Sequence, residues 1–284
     1  MSEKINTPGK QEVLQNLSLG KSTEYISIYD PKLLAAVPRS LNRQELGIMS
    51  SPPFFGADVW NAYELSWLNV NGKPQVALAK FTLSYDTINI VESKSLKLYL
   101  NSFNQSVFES FQHVQQTIQN DLSDCAEGEV TVHLYSPEDL EPFTAKKLPG
   151  FCIDHHDVII EEYELSPELL KSDPNLQVSE VLHSHLLKSN CLITNQPDWA
   201  SVVIEYQGNQ IDQHSLLKYL VSFRQHNEFH EQCVERIYMD VFTQCGLSSL
   251  TVQALYTRRG GLDINPYRSS KKNHSLPALR SNRQ

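Results

Sequence analysis

The residue types best suited to covalent chemistry stand together in KSNCLITNQPDWASV, residues 188–202. Cys191 lies in a polar setting, and a cation such as the nearby Lys188 would favour its thiolate, the nucleophilic form. Asp198 follows seven residues later. An aspartate donates a proton near neutral pH only where desolvation favours its protonated form, and Trp199 is the neighbour that could provide this. Cys191 and Asp198 are therefore a candidate nucleophile and proton donor, although a free cysteine is more often a small core residue.

A second candidate cluster is HNEFHEQC, residues 226–233. A helix would place His226, His230 and Cys233 on one face, and their spacing could bind zinc. Two other interpretations are open: surface histidines with Cys233 in the core, or His230 and Glu231 as polar groups that line a pocket. We favour the pocket, because a third ligand from the same helix strains a tetrahedral metal site.

The segment VESKSLKLY, residues 91–99, follows an apolar stretch. Its polar and charged residues include Glu92, Ser93, Lys94 and Lys97. By pattern alone it is an amphipathic segment whose charges are expected to be solvated. The chain contains neither GxGxxG nor GxxxxGK[ST], the glycine-rich phosphate-binding motifs. A phosphorylated cofactor would therefore be held by arginines and turn amides, for which RRGG at 258–261 is the candidate.

The composition is that of a soluble globular protein, with 40% hydrophobic and 20% charged residues among 284. No apolar run is long enough to span a membrane. The polar N-terminus lacks the apolar region of a secretory signal, so we expect a cytoplasmic protein. The five cysteines are odd in number and irregularly spaced, which argues against a disulfide framework or a zinc ribbon.

The net charge of −9 argues against a general nucleic-acid-binding protein. The charge is uneven, however, because from Arg258 onward there are seven basic residues and one acid, Asp263. This basic end is either a phosphate-binding edge or, for the last ten residues, a solvated disordered tail. Gly260-Gly261 and Asn265-Pro266 are expected to form turns within it.

An internal repeat is visible in the motif Tyr-Leu-x-Ser-Phe-x-Gln, which occurs at 99–105 and again at 219–225, an offset of 120 residues. The same offset pairs Glu92 with Asp212, Cys125 with Cys245, and Thr131-Val132 with Thr251-Val252. Several matches in one register indicate two copies of one unit.

The repeat contains one discrepancy. In strict register Glu231 falls opposite Phe111, and Glu228 opposite Phe108. A carboxylate in place of a buried ring needs a reason, since burial of an unpaired charge is costly. A slip of one residue, which would pair Phe108 with Phe229, is the alternative.

Each unit is expected to contain strands, a helical stretch and a closing strand. The alternating positions are Ala77, Ala79, Phe81, Leu83 and Tyr85 in the first copy and Val202, Ile204 and Tyr206 in the second. The helical stripe is Phe108, Phe111, Val114, Ile118 and Leu122. The closing strands are Val130, Val132 and Leu134, and Leu250, Val252 and Ala254. The predicted architecture is α+β, with two tandem modules that each pack helices on one face of an antiparallel sheet.

The domain boundaries follow from composition. Residues 136–150 contain three prolines and end in glycine, which indicates a linker. We therefore predict an N-terminal module with an N-terminal extension over residues 1–140 and a C-terminal module over 151–284 that carries Cys191.

These stretches together resemble a known family, the NADPH-dependent 7-cyano-7-deazaguanine reductases of the queuosine pathway, in their long two-module form. The resemblance rests on ESKSLKLYLNSFNQ, SNCLITNQPDW, SFRQHNEFHEQCVERI and YTRRGGLDINP, and on GKSTEY, VPRSLNR and YELSWLN nearer the N-terminus. It covers nearly the whole chain, apart from residues 136–180 and the last dozen.

The resemblance implies the tunnelling fold of pterin and purine enzymes, a homodimer or larger homo-oligomer, and a binding site between modules. It implies that Cys191 is the nucleophile, with Asp198 and His230 in proton transfer. Substrate contacts would come from Val91, Glu92, Ser93, His230 and Glu231, and NADPH contacts from Ser93, Lys94, Arg259 and Gly260. No metal is implied.

The implied reaction is reduction of the nitrile of 7-cyano-7-deazaguanine to an aminomethyl group with two NADPH, through a covalent cysteine thioimidate. Two alternatives stay open. One is a zinc-dependent, cyclohydrolase-like pterin enzyme on the same fold. The other is a purine- or pterin-binding module that has lost the chemistry.

Overall fold

The computed structural model describes residues 25–49, 51–139, 141–272 and 279–284. The N-terminal part contains β1 (Ala36–Pro38), α1 (Ser40–Arg43), β2 (Phe55–Leu68), β3 (Pro74–Ser84), β4 (Asn89–Val91), α2 (Ser93–Ser102), α3 (Phe111–Ala126) and β5 (Val130–Tyr135). The C-terminal part contains β6 (Phe151–Cys152), β7 (Ser172–Asn190), β8 (Pro197–Ile211), α4 (Gln213–Ser222), α5 (His230–Cys245), β9 (Leu247–Tyr256) and β10 (Leu262–Ser269). Among these helices none is long and apolar enough to cross a membrane.

The two modules have the same order of elements, a strand hairpin followed by two helices and a closing strand, which confirms the α+β prediction. They are joined into one sheet of eight strands in the order β5-β3-β2-β10-β9-β8-β7-β6. The shared sheet differs from the expectation of one sheet for each module. The pairings within it are antiparallel except that of β6 with β7.

Strand β10 joins the modules. It pairs with β2 from Leu262 to Ser269, but with β9 only from Tyr267 onward. Pro266 has no N–H to donate, so it is suited to the point where one of the two ladders stops. The prediction of a turn at Asn265-Pro266 is therefore wrong, because both residues lie within β10. The predicted turn at Gly260-Gly261 is present and separates β9 from β10.

Each module has its own hydrophobic core between sheet and helices. In the first, Val114, Ile118 and Leu122 of α3 pack with the β2, β3 and β5 side chains, as the helical stripe predicted. In the second, Val202, Ile204 and Tyr206 of β8 pack with α4 and α5. On the opposite face of β8, Val203 belongs to a small cluster with Leu148 and Leu255.

The repeat contains a slip, and it runs opposite to the one considered from the sequence. α5 begins at His230, 119 positions after Phe111, the first residue of α3. Glu231 is therefore equivalent to Gln112 and not to a buried ring, and Phe108 lies before α3 rather than within it. The equivalent core residues are Val114 and Cys233, Ile118 and Ile237, Leu122 and Val241, and Ala126 and Cys245, so Cys245 does not match Cys125.

The segment expected to be a linker is packed against the body. Phe143 and Leu148 are buried, and the main chain of Lys146 donates to the carbonyl of Arg280. The end of the chain is also packed, since the Gln284 side chain donates to the Tyr256 carbonyl at 3.0 Å. The expectation of a solvated tail is thus wrong for residues 279–284, while residues 273–278 lie outside the described residues.

A buried ion network links the modules beneath the sheet. Arg268 contacts Asp58 at 2.8 Å and Glu235 at 2.9 Å. Arg39 contacts Asp58 at 2.5 Å, and Arg43 contacts Glu235 at 2.8 Å. Arg268 is completely buried, so it is not part of a phosphate-binding edge. The VPRSLNR stretch therefore supplies two cations that neutralise carboxylates of β2 and α5.

Candidate active site

A cavity of about 740 Å³, including its open mouth, lies between the two modules. The first module contributes residues of β2, β4 and α2, and the second contributes the β7–β8 connection, the start of α5 and the β9–β10 turn. The lining residues are Trp60, Val91, Ser93, Lys97, Cys191, Thr194, Gln196, Asp198, Glu228, Phe229, His230, Glu231, Thr257, Arg259, Leu262 and Ile264.

Cys191 is the first residue of the connection between β7 and β8. Its main-chain N–H donates to the Gln196 carbonyl at 2.8 Å, and its carbonyl accepts from Asn195 N–H at 3.0 Å. The Asn227 side chain donates to the same carbonyl at 3.2 Å. Asn195 adopts the left-handed conformation (φ 55°), which asparagine tolerates better than most residues. The backbone of Cys191 is thus held on several sides, while its half-buried side chain lines the cavity.

Lys188 is not the cation of this site. Its ammonium group donates to Asn190 Oδ1 at 2.5 Å and to the Arg224 carbonyl at 2.6 Å. The expectation that Lys188 favours the thiolate of Cys191 is therefore not supported, because its ammonium group is bonded to other residues.

Lys97 of α2 provides a positive charge inside the cavity. Burial lowers the pKa of Lys97, while attraction to Glu92 and, more weakly, to Asp198 and Cys191 opposes that shift. The expectation that the charges of residues 91–99 are solvated is wrong for Lys97 and also for Glu92, which is completely buried. The sequence contained a signal, because Ser93 and Lys97 are four residues apart and share a helix face.

Asp198 lies at the start of β8 and is nearly completely buried. Its Oδ2 is 3.2 Å from His230 Nε2, and its Oδ1 is 3.4 Å from Arg259 Nε. Trp199 does not desolvate it as expected: successive residues of a strand face opposite sides, and the indole lies under the guanidinium groups of Arg224 and Arg283. The aspartate instead connects an imidazole and a guanidinium group at the cavity wall.

His230 is the first residue of α5, and its ring stacks on Tyr256 with centroids 3.9 Å apart. His226 precedes the helix and contacts Glu228 at 3.0 Å, whereas Cys233 is buried in the core. Among the described residues these histidines and this cysteine form no metal-binding group. The third interpretation, with His230 and Glu231 in a pocket, agrees with the structure.

Glu231 lies on the first turn of α5 and is 3% exposed. Burial, and next the negative charge of Asp58, raise the pKa of Glu231 to about 7, while His230 opposes the shift. A carboxyl group of this kind changes charge near neutral pH, which is common at functional sites.

Glu92 is buried at the N-terminus of α2 and acts as the helix cap. Its carboxylate oxygens accept from Lys94 N–H at 2.7 Å and from Ser95 N–H at 2.8 Å. Neither Glu92 nor Lys94 is among the cavity-lining residues, although their neighbours Val91 and Ser93 are. Asp212, the repeat equivalent of Glu92, caps α4 by accepting from Ser215 N–H.

Arg259 lines the main cavity, and Gly260 lines an adjoining cavity of about 750 Å³, including its open mouth. The two cavities share Lys97 and Leu262. Gly260 has φ 53°, and a Cβ at this position would come within 3.1 Å of the Lys97 side chain. Glycine therefore keeps the turn close to Lys97 and leaves open the space between the two cavities.

Comparison with family models gives two matches in the expected order. Residues 25–134 match the model described as nitrile reductase, 7-cyano-7-deazaguanine-reductase N-term. Residues 197–275 match the QueF-like protein model. Together the matches cover more than half of the chain.

The chain belongs to the QueF nitrile reductase family. The QueF match confirms the resemblance, the tunnelling fold and the presence of both modules, and it indicates a nitrile reductase of queuosine biosynthesis. Val91 to Lys94 fall within the first matched segment, and Asp198, His230, Glu231 and Arg259 fall within the second. Cys191 lies between the two matched segments. Its place in the candidate site therefore depends on its position in the cavity.

Sequence reasoning missed several cavity residues besides Lys97. The apolar walls are formed by Trp60, Phe229, Leu262 and Ile264. Trp60 and Ile264 are paired across β2 and β10, a contact that joins the modules. No pattern in the sequence identified these four residues as the lining of a QueF site.

Proposed function

We propose that this protein reduces 7-cyano-7-deazaguanine to 7-aminomethyl-7-deazaguanine with two NADPH, through a covalent intermediate on Cys191. The observation that carries the proposal is the convergence of one thiol, the Asp198–His230 pair and the buried Glu231 on one cavity. The family match supplies the nitrile as the class of substrate.

The first role is that of the nucleophile. A nitrile carbon reacts with a thiolate: the S–C bond forms, one C–N π bond breaks and the nitrogen takes a proton, giving a thioimidate. The ammonium group of Lys97 interacts electrostatically with Cys191. It would stabilise the thiolate from the side of the first module.

The second role is proton transfer. Asp198 and His230 are within 3.2 Å, and Arg259 contacts the other carboxylate oxygen. We assign to Asp198, with the help of His230, the transfer of protons to the substrate nitrogen as its C–N bonds are reduced. The stacked Tyr256 ring fixes the imidazole plane, so the proton path has a defined direction.

The third role is recognition of the base. The ring N–H and amino groups of a deazaguanine are donors, and Glu231 is a buried acceptor on the same cavity wall as His230. A site that pairs its acceptor with these donors rejects bases that lack them, because the carboxylate would then stay buried and unpaired. Val91 and Ser93 would contact the base from the first module, and Glu92 would support them from the helix cap.

The residues present suit a phosphorylated dinucleotide. Arg259 and Lys97 supply cations, Ser93 supplies a hydroxyl group, and the Gly260 turn leaves open the space that a Cβ would fill. Lys94 lies on the same first turn of α2. When bound, NADPH supplies hydride, and conversion of a nitrile to an amine requires two. The chain's own residues would hold the phosphates and shield the cavity from water.

The reaction is tested by mixing the purified protein with 7-cyano-7-deazaguanine and NADPH. We expect oxidation of two NADPH for each aminomethyl product formed, measured by absorbance and by chromatography of the base. A protein that binds the base without oxidising NADPH would be a binding module instead, and the proposed reaction would be rejected.

The covalent step has a separate test. Incubation with the nitrile and without NADPH should add the mass of one nitrile molecule to the peptide that contains Cys191. Cys191→Ala should show no adduct. An adduct on another residue, or none on an active enzyme, would contradict the assignment of the nucleophile.

We also propose that the protein is a homodimer. The sheet ends in β5 at one edge, and an edge strand can pair with a second copy. Such pairing would have to replace the hydrogen bonds that Val132 N–H and Leu134 N–H donate to the side chains of Gln119 and Gln115. Light scattering of the purified chain should give twice the monomer mass, and a monomer at working concentration would contradict it.

A further inference from the structure

A second group of reactive side chains lies at the start of the C-terminal module. Cys152 ends β6, and His183 and His185 are two residues apart on β7, so both point to one face of the sheet. Cys152 is paired with His183 in the parallel ladder. The thiol sulfur and one imidazole nitrogen of each histidine lie within 4.8 Å of one another.

Hydrogen bonds orient both imidazole rings. His183 Nδ1 is 2.8 Å from the Pro149 carbonyl, which can only accept, so Nδ1 carries the proton and Nε2 has the free lone pair. His185 Nδ1 is 2.8 Å from Ser201 Oγ, which leaves its Nε2 available as well. Histidine ligands of metals are oriented by such bonds from the second nitrogen.

The surroundings keep the group together without a ligand. Asp154 follows Cys152 closely, and its carboxylate accepts from Ser184 Oγ at 2.5 Å and from His185 N–H at 2.9 Å. The segment after β6 is thereby tied to β7 at Ser184 and His185.

This group is separate from the catalytic cavity. His183 is paired with Val203, which packs with Leu148 and Leu255 on the sheet face opposite the helices. None of the three side chains lines the cavity that contains Cys191. The proposed reaction needs none of them, so a role in nitrile reduction does not explain their convergence.

We propose that Cys152, His183 and His185 bind one divalent transition metal ion of the zinc class, which links β6 to β7. Two imidazole nitrogens and one thiolate are ligands that zinc and cobalt prefer. A tetrahedral ion would have a fourth position for water or a small ligand, and Cys152 is only half-buried, so the ion can enter. Binding releases the thiol proton to solvent.

Cobalt is the spectroscopic probe for this site. The full-length protein, freed of metal with a chelator, is titrated with Co²⁺ alone. We expect a thiolate-to-cobalt charge-transfer band that saturates at one ion for each chain. Cys152→Ser should remove the band, and Cys191→Ser, the matched control, should retain it. No band, or a band that survives Cys152→Ser, would overturn the proposal.

Zinc binding is tested by thermal unfolding of the same protein. Zn²⁺ should raise the Tm of the wild-type chain and leave the Tm of His185→Asn unchanged, and zinc should remain with the wild type after dialysis. If Cys152→Ser fails to fold, His185→Asn replaces it as the variant that lacks one metal ligand. Zinc lost on dialysis, or an equal rise in Tm for both proteins, would reject the site. NADPH oxidation should be the same before and after chelation, which separates this ion from a catalytic one.

Discussion

Each module packs an equivalent helix on an equivalent core of its own, but the two helices begin with different residues. Helices α3 and α5 each contain 16 residues. Ser110 caps α3 by accepting from His113 N–H, and the next residues are partly or fully exposed. No side chain caps α5, and its first residues, His230 and Glu231, line the cavity. The position of Ser110 is occupied by Phe229 in the second module, and Phe229 also lines the cavity. The end that a side chain caps in one helix thus lines the candidate site in the other.

The hairpin connections differ in the same way. Asn69 directly follows β2, and its side chain closes the turn by accepting from Asn71 and Lys73 N–H, each at 3.0 Å. Cys191 directly follows β7 at the equivalent point, and its side chain lines the cavity. The fold requires only a turn at this point. The C-terminal module therefore carries reactive residues where the N-terminal module carries stabilising ones, as expected when function limits local stability.

The strongest way to break the comparison is to give the second hairpin the residue of the first. Cys191→Asn should lower the rate of NADPH oxidation with the nitrile by about 10⁴-fold or more, because no thiolate remains to form the covalent intermediate. Cys125→Ala, which removes a half-buried thiol from the first module, should leave the rate unchanged. A Cys191→Asn variant with substantial turnover would show that the two connections do not differ in chemistry.

A second test concerns the ions that join the modules. Arg268→Met removes a fully buried guanidinium group and leaves Asp58 and Glu235 short of a cation. We expect a loss of about 3–5 kcal/mol in the free energy of unfolding, since removing one partner leaves uncompensated buried charge. Urea unfolding measures this loss.

The control for this variant is Arg258→Met. Arg258 is exposed and lies over the Tyr63 ring, so its loss should cost no more than about 1 kcal/mol. Equal effects of the two variants would mean that the buried network does not stabilise the contact between modules.

Much of this arrangement could be predicted from the sequence, within physical limits. The helical stripe and the alternating strands are local patterns, and Val114, Ile118 and Val202 lie where these patterns put them. The pairing of β10 with β2 depends on which strand edges meet in space, and no local pattern contains that information. The one-residue slip before α5 was invisible for a related reason, because an apolar stripe fixes the face of a helix but not its first residue.

The residues of the candidate site also fall into two groups, those that the sequence identified and those that it did not. Cys191, Asp198 and His230 were identified by residue type and resemblance, and they line one cavity. Lys97 was missed because a lysine in an amphipathic helix is ordinarily solvated. Trp199 was assigned the wrong side, although alternation along β8 would have placed it opposite Asp198.

A third test compares the starts of α3 and α5 through the pH dependence of protein stability. The pKa of Glu231 is about 7 in the folded chain, mainly because of burial, and near 4.3 when unfolded. The folded state thus binds the proton more tightly, so this group's contribution to stability is lost as pH rises from about 4.5 through 7. Glu231→Gln introduces the residue found at the equivalent position of the first module, Gln112. This variant should gain stability relative to the wild type over this range, by about 4 kcal/mol at most. Urea unfolding of the ligand-free proteins at several pH values measures the gain.

Glu228 is the control of opposite sign. Burial opposes the shift, but hydrogen bonds from His226 and Arg236 lower the pKa of Glu228. Its contribution to stability is present above the unfolded pKa and is lost as pH falls through the folded one. Glu228→Gln should therefore lose stability relative to the wild type as pH rises toward the unfolded pKa of about 4.3, and the deficit should remain at higher pH. Parallel pH profiles for the two variants would contradict the assigned charges.

A fourth test measures base recognition at the same helix start. Glu231→Gln should weaken binding of the nitrile by about 10- to 100-fold, because an amide replaces a charged acceptor facing donor groups. Calorimetry in a Cys191→Ala background measures binding without the covalent step. Unchanged affinity would remove Glu231 from the base-binding site, and the helix starts would then differ in burial alone.

The smallest expected effect lies in the first module. Ser110→Ala removes the hydroxyl group that accepts from His113 N–H at 3.1 Å, which should cost about 1 kcal/mol of stability. The rate of NADPH oxidation should not change, because this helix start does not line the cavity. Ser123→Ala, within α3, is the matched control and should have a smaller effect on unfolding. If Ser110→Ala lowered activity at unchanged stability, the N-terminal helix start would share in the chemistry, and the division of labour between the modules would have to be abandoned.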